Sequence, residues 1–223
     1  GQSAGTAIAE LLTGVVNPSA KLTMTLPKTS ADTLLTYGYY DNPDSETNYN
    51  TERAGDQSQS EYTAKYTEGL NFGYRWYDAE DVEPQYAFGY GLSYTTFEYS
   101  DYTVTVNDDH TIDVSVKVTN TGDVAGDEIV QVYLGAADVP EGVQTVEKQL
   151  AAFARVEDIQ PGESKTAEMT INERMLSYWD ASLELIERED GTKDKWVLAT
   201  GERDVMIGSS SDNLLHTESV TIK

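Results

Sequence analysis

The chain turns on Phe88-Gly89-Tyr90-Gly91-Leu92-Ser93-Tyr94-Thr95-Thr96-Phe97, where two glycines alternate with aromatic residues. The residues after it read as one all-β domain; those before it read as a helix, a strand and a long tyrosine-rich stretch. Glycine lacks a Cβ, so Gly89 and Gly91 permit positive φ or a close pass beneath another element, while Tyr90, Tyr94 and Phe97 supply apolar area to seal such a contact. Two readings stay open for it: a turn feeding the first strand of a sandwich, or a clasp between domains.

Downstream, Ile112, Val114, Val116 and Val118 alternate with Asp113, Ser115 and Lys117. Val130, Val132 and Leu134 repeat the pattern through Gln131 and Tyr133, the period of half-buried strands. Further strands are predicted at Gln149 to Val156, Thr166 to Ile171, Trp196 to Thr200 and Arg203 to Gly208. Turn signals separate them at Asn107-Asp108-Asp109, Asn120-Thr121-Gly122-Asp123, Pro161-Gly162 and Asp190-Gly191. About seven short strands with no helix between them, over ~120 residues, predict an immunoglobulin-like or fibronectin type III-like β-sandwich. The absence of cysteine removes the Cys-Trp-Cys framework of antibody domains.

Upstream, Ile8, Leu11, Leu12 and Val15 fall at helical spacing and Gly14 sits where a helix stops, which predicts a helix from Ala4 to Thr13. After Asn17-Pro18-Ser19, the residues Leu22, Met24 and Leu26 alternate with Lys21, Thr23 and Thr25, the period of a strand closed by Pro27. One helix and one strand cannot complete a layer architecture, so this segment is expected to be a piece of a larger α/β domain and to dock on something else. Ser30 to about Glu61 is poor in aliphatics and rich in Tyr, Asn, Asp, Thr and Ser, and reads as a long loop, either a ligand-facing one or a surface wrap. Tyr66 to Asp78 then interleaves glycines and aromatics around Arg75, which reads either as packing, with Arg75 stacked on a ring and paired with Glu68, or as a sugar-stacking platform, packing being the favoured expectation.

Composition narrows the partners. A formal net charge of -24 sets the chain against nucleic acid and anionic membranes, both of which favour basic patches. No apolar run approaches the ~20 residues of a membrane-spanning helix. The chain contains no signal-like segment, which leaves cytoplasmic and secreted locations equally open, and the lack of cysteine gives no redox information.

A search for chemistry returns little. His110 and His216 are far apart and lack metal-ligand spacing, so no metal site and no cofactor are predicted. There is no GxSxG elbow and no P-loop. Asp78, Glu80, Asp81 and Glu83 form an acidic run that reads as a solvated turn, since a glycosidase's two carboxylates must flank a substrate at ~5 to 9.5 Å inside a cleft.

Taken in order, these segments resemble the C-terminal third of a family 3 glycoside hydrolase of the β-glucosidase type. Gly1 to Ala9 and Leu11 to Leu22 resemble the end of that family's α/β sandwich domain. Tyr66 to Asp78 resembles its Y-x-E-G-x-x-x-G-Y-R-x-Y-D signature, and Phe88 to Thr96 its F-G-Y-G-L-S-Y-T junction. Val118 to Glu128, Pro161 to Ser164 and Leu176 to Asp180 match its fibronectin type III-like domain. Ala20 and Thr23 stand where the family usually has Gly and Pro, and Leu183 to Lys195 looks like an insertion.

The resemblance implies three parts: residues 1–36 as the end of the α/β sandwich domain, 37–93 as connecting loop and junction, and 94–223 as the fibronectin type III-like domain. It also implies that the nucleophilic aspartate and the acid/base glutamate lie upstream, on a barrel and earlier in the α/β sandwich. No catalytic residue is therefore assigned in this chain, and its substrate-binding residues stay unknown. The expected partners are the N-terminal catalytic portion and a β-glucoside, with a homo-oligomer left open. The alternatives are a non-catalytic sandwich that binds carbohydrate or protein, and a related exo-glycosidase such as a β-xylosidase.

Overall fold

A computed structural model describes residues 1–34, 68–188 and 191–223. The tyrosine-rich loop predicted from Ser30 onward lies almost wholly outside the described residues, as do Tyr66 and Asp190.

Seven main strands build the sandwich. They are β1 (Phe97–Val106), β2 (Ile112–Asn120), β3 (Gly126–Gly135), β4 (Lys148–Ile159) and β5 (Ser164–Ile171), then two more near the C-terminus. Between the two groups lie the short β6 (Ser177–Trp179), β7 (Ile186–Glu187), β8 (Lys193–Asp194) and β9 (Trp196–Leu198). β10 (Gly201–Gly208) and β11 (Leu214–Ile222) complete the set. One open sheet has the order β1-β2-β5 and the other β11-β10-β3-β4, all pairings antiparallel. The predicted sandwich is thus present.

Its core follows from strand period. Ile112, Val114, Val116 and Val118 of β2 point inward and meet Ala167, Met169 and Ile171 of the neighbouring β5 along the same face. Val130, Val132 and Ile207 close over them from the second sheet. Burying one branched side chain contributes roughly 1.5–3 kcal/mol, so this facing set is the principal source of stability.

Three sequence expectations change. β3 is not half-buried: from Val130 to Gly135 every residue is buried, Gln131 and Tyr133 included, because other segments cover its outer face. The predicted strand at Trp196 to Thr200 pairs with β6 in a side sheet and does not join the sandwich. β11 takes the seventh place, and its polar alternation (His216, Thr217, Glu218, Ser219) suits an edge strand with one face in water.

The N-terminal segment forms α1 (Ala4–Leu12), ended by Gly14 at φ 74°, a left-handed position that glycine adopts without strain. The predicted strand from Leu22 to Leu26 is not a regular strand. It keeps one antiparallel bridge, Leu26 to Tyr86, and the bonds Leu22 N–H to Tyr90 O (2.8 Å) and Gly89 N–H to Leu22 O (2.8 Å). Met24 between them is 60% exposed, so alternation alone did not secure a ladder where the described residues pair along one edge only.

Candidate functional site

The junction is a clasp. Gly89 has φ +83°, and a Cβ there would stand 2.3 Å from Gln131 Oε1. Gln131 Nε2 donates to Gly89 O (3.2 Å) and Ser209 O (2.7 Å), while Tyr133 Oη donates to Gln131 Oε1 (2.5 Å). The Ser211 amide donates to Phe88 O (2.9 Å), so the junction is threaded between β3 and the β10–β11 turn. A Cβ on Gly91 would meet Ala20 O and Lys21 Cδ, each at 2.7 Å. Both glycines are therefore required, and the clasp reading prevails over that of a plain turn.

Asn17 ties three parts together. Its Nδ2 donates to Ala125 O (3.0 Å), and its Oδ1 accepts from the Tyr94 amide (2.8 Å) and Ser93 Oγ (3.1 Å). Tyr94 Oη donates to Leu11 O (2.7 Å), which holds the end of α1. On the sandwich side Asn120 is fully buried and fully used: Oδ1 accepts from Thr95 Oγ1 (2.5 Å) and the Gly122 amide, and Nδ2 donates to Val124 O and Ile159 O. A buried amide with every bond made fixes its turn, because any slip leaves an unsatisfied polar group.

Charge reinforces the same contact. Lys21 Nζ lies 2.8 Å from Glu128 Oε1, with both side chains mostly buried. Burial, and then the adjacent Glu128 carboxylate, push the Tyr99 hydroxyl far above its ordinary pKa, so it stays protonated.

A second contact runs through α2 (Tyr74–Ala79), whose Trp76 and Tyr77 are buried. Tyr74 Oη accepts from the Leu150 amide (2.8 Å), and its ring meets Tyr133 edge-on at 5.9 Å between centroids. Asp78 pairs with Lys148 Nζ at 2.6 Å with both side chains mostly buried, so it belongs to this seam and not to the predicted solvated face. Burial raises the Asp78 pKa, and Lys148 pulls against that rise. Arg75 lies over the Phe72 and Tyr74 rings at 5.7 and 5.8 Å, as predicted; no Arg75–Glu68 ion pair occurs among the described residues. His216 stacks on Tyr102 at 4.3 Å between ring centroids, a packing role, and no group of His, Asp and Glu with metal-ligand geometry occurs among the described residues.

The apolar face of α1 is left over. Ile8 is 57% exposed and Leu12 78%, and Val15 just beyond is 72% exposed. No residue of the helix is buried.

Comparison with known proteins fits this division. Residues 1–94 match the model of the glycosyl hydrolase family 3 C-terminal domain, and residues 128–211 that of a fibronectin type III-like domain. The thermostable β-glucosidase B of Acetivibrio thermocellus is 40% identical over 100% of this chain, and β-glucosidase B of Emericella nidulans is 38% identical over 94%. The structure of β-glucosidase 3B from Thermotoga neapolitana aligns with 100% of the chain at a TM-score of 0.78 and 34% identity. The chain spans only 26%, 23% and 27% of those three proteins, so it matches one part of larger enzymes. The chain belongs to glycosyl hydrolase family 3, of which it carries C-terminal domain sequence and the fibronectin type III-like sandwich.

Proposed function

We propose that this chain is the C-terminal portion of a retaining, exo-acting β-glucosidase, in which it completes and braces catalytic domains that lie upstream. The observation that carries the proposal is the pairing of a sandwich that covers its own core with a helix whose Ile8 and Leu12 are left more than half exposed, in a chain whose relatives over this stretch are β-glucosidases. In this reading residues 1–36 finish the α/β sandwich domain, 37–93 connect, and 94–223 form the brace.

The chemistry then belongs to two upstream carboxylates about 5–5.5 Å apart, one attacking the anomeric carbon and the other protonating the leaving oxygen and later activating water. This chain contributes position: the clasp at Gly89, Asn17 and Asn120 and the Lys21–Glu128 pair hold α1 at a fixed place on the sandwich.

Hydrolysis of a chromogenic β-glucoside tests this with the chain alone, the upstream polypeptide alone, and the two mixed. Activity in the mixture only is expected. Turnover by this chain alone would place carboxylates here and overturn the proposal, and full activity of the upstream piece alone would make the chain dispensable. A β-xyloside cleaved faster than the glucoside would move the substrate to the pentosides.

A further inference from the structure

A groove of about 810 Å³ opens between α2, the 137–146 loop and the β6–β9 side sheet. Arg203 of β10 lines it and is 6% exposed. Its Nε donates to Gly135 O (2.7 Å), which leaves the two Nη groups, and Nη1 is buried without a hydrogen-bond partner. No carboxylate pairs with Arg203 among the described residues. Burial accordingly pulls its pKa below the ordinary arginine value, yet an arginine remains cationic at neutral pH. A buried cation without a counter-charge is costly, and an arriving anion removes that cost.

The rest of the wall narrows the anion. Arg75 supplies a second guanidinium. Trp179 is 44% exposed and meets Trp196 edge-on at 5.1 Å, while Arg174 covers Trp196, so the Trp179 indole is the ring available to a ligand. Two acids also line the groove: Glu141 on the exposed loop, and Asp180, whose Oδ1 accepts from the Ser182 amide and hydroxyl and is thereby tied down.

The geometry points to a binding site for a ring-bearing carboxylate of the uronate class, with the carboxylate on the Arg203 guanidinium and the ring face against Trp179. A guanidinium fork matches a carboxylate in shape and charge, an indole packs against the flat C–H face of a pyranose, and the volume suits a mono- or disaccharide. A neutral sugar would leave the buried charge unpaired. The assignment concerns binding and stands or falls by binding alone.

Calorimetric titration of glucuronate and glucose into the assembled protein, this chain with its upstream portion, tests it as a difference between wild type and Arg203→Met. The methionine keeps the packed stem, and the difference cancels sugar bound at the reaction site. Wild type should show one glucuronate-binding event that Arg203→Met lacks, and no such extra event with glucose. Trp179→Ala, a change at an exposed ring, should weaken that event by about tenfold without altering the unfolding midpoint. Identical glucuronate isotherms for wild type and Arg203→Met would overturn the proposal. So would an extra event shared equally by glucose, or glucuronate binding unmoved by Trp179→Ala should the arginine variant fail to fold.

Discussion

Strand β2 and helix α1 have similarly apolar faces and opposite fates. Ile112, Val114, Val116 and Val118 are at most 2% exposed, whereas Ile8 and Leu12 are more than half exposed. Periodic apolar residues specify a face that needs covering, and they do not specify what covers it. β2 finds its cover in the facing sheet of the same chain. The helix instead is tethered at its end by polar bonds from Tyr94 and Asn17, which fix its place while leaving its apolar face open.

The sharpest way to break this comparison is to place one charge in each region. Val116→Asp buries an unpaired carboxylate in the core and should cost at least ~4 kcal/mol, seen as loss of the cooperative unfolding transition in circular dichroism. Ile8→Asp should leave that transition within ~0.5 kcal/mol of wild type and abolish association with the upstream portion. If Ile8→Asp unfolds the sandwich as Val116→Asp does, the two regions are one cooperative unit and the distinction fails.

The next effect belongs to the clasp. Gly89→Ala forces an L residue to φ +83° and drives its Cβ into the Gln131 amide, which two donated bonds and one accepted bond hold in place. A loss of about 2 kcal/mol in denaturant unfolding is expected. A smaller, local effect should follow Asn17→Ala: three hydrogen bonds go, and amide exchange across α1 should quicken by roughly tenfold while β2 and β3 keep their protection. Exchange that quickens equally in β2 would show that the segment stabilises the core itself.

The smallest effect concerns acid. Burial works to raise the Asp127 pKa, but the Asp158 amide and Arg155 outweigh it, and the folded value lies below the ordinary one. A depressed carboxylate stabilises the fold above the unfolded pKa of ~3.9 and loses that contribution as pH falls through the folded value. Asp127→Asn should therefore show a shallower decline of stability below about pH 4 than wild type, read from melting midpoints across an acid series. An unchanged acid limb would remove Asp127 from the list of groups that hold the sandwich edge.

Much of this was legible in residue order. The β2, β4, β5 and β10 strands follow from alternation, α1 from its four apolar positions and Gly14, and the junction from two glycines among aromatics. β11 escapes the sequence reading because its middle, His216 to Ser219, is wholly polar, and the apolar residues at its two ends, Leu214 and Leu215, then Val220 and Ile222, form no continuous alternation. The buried face of β3 was misread because Gln131 and Tyr133 look like solvent-facing residues. The Arg203 groove was invisible, since a lone arginine in a strand reads as surface until its neighbours are known.

The sequence by itself determined the sandwich, the helix and the family resemblance, because strand and helix periods and turn glycines are local properties of the chain. Only the tertiary structure decided which faces are shared. Burial of Gln131, the Lys21–Glu128 and Asp78–Lys148 pairs and the bond from buried Arg203 to Gly135 O all join residues far apart in sequence, and no local pattern encodes the partner across such a distance.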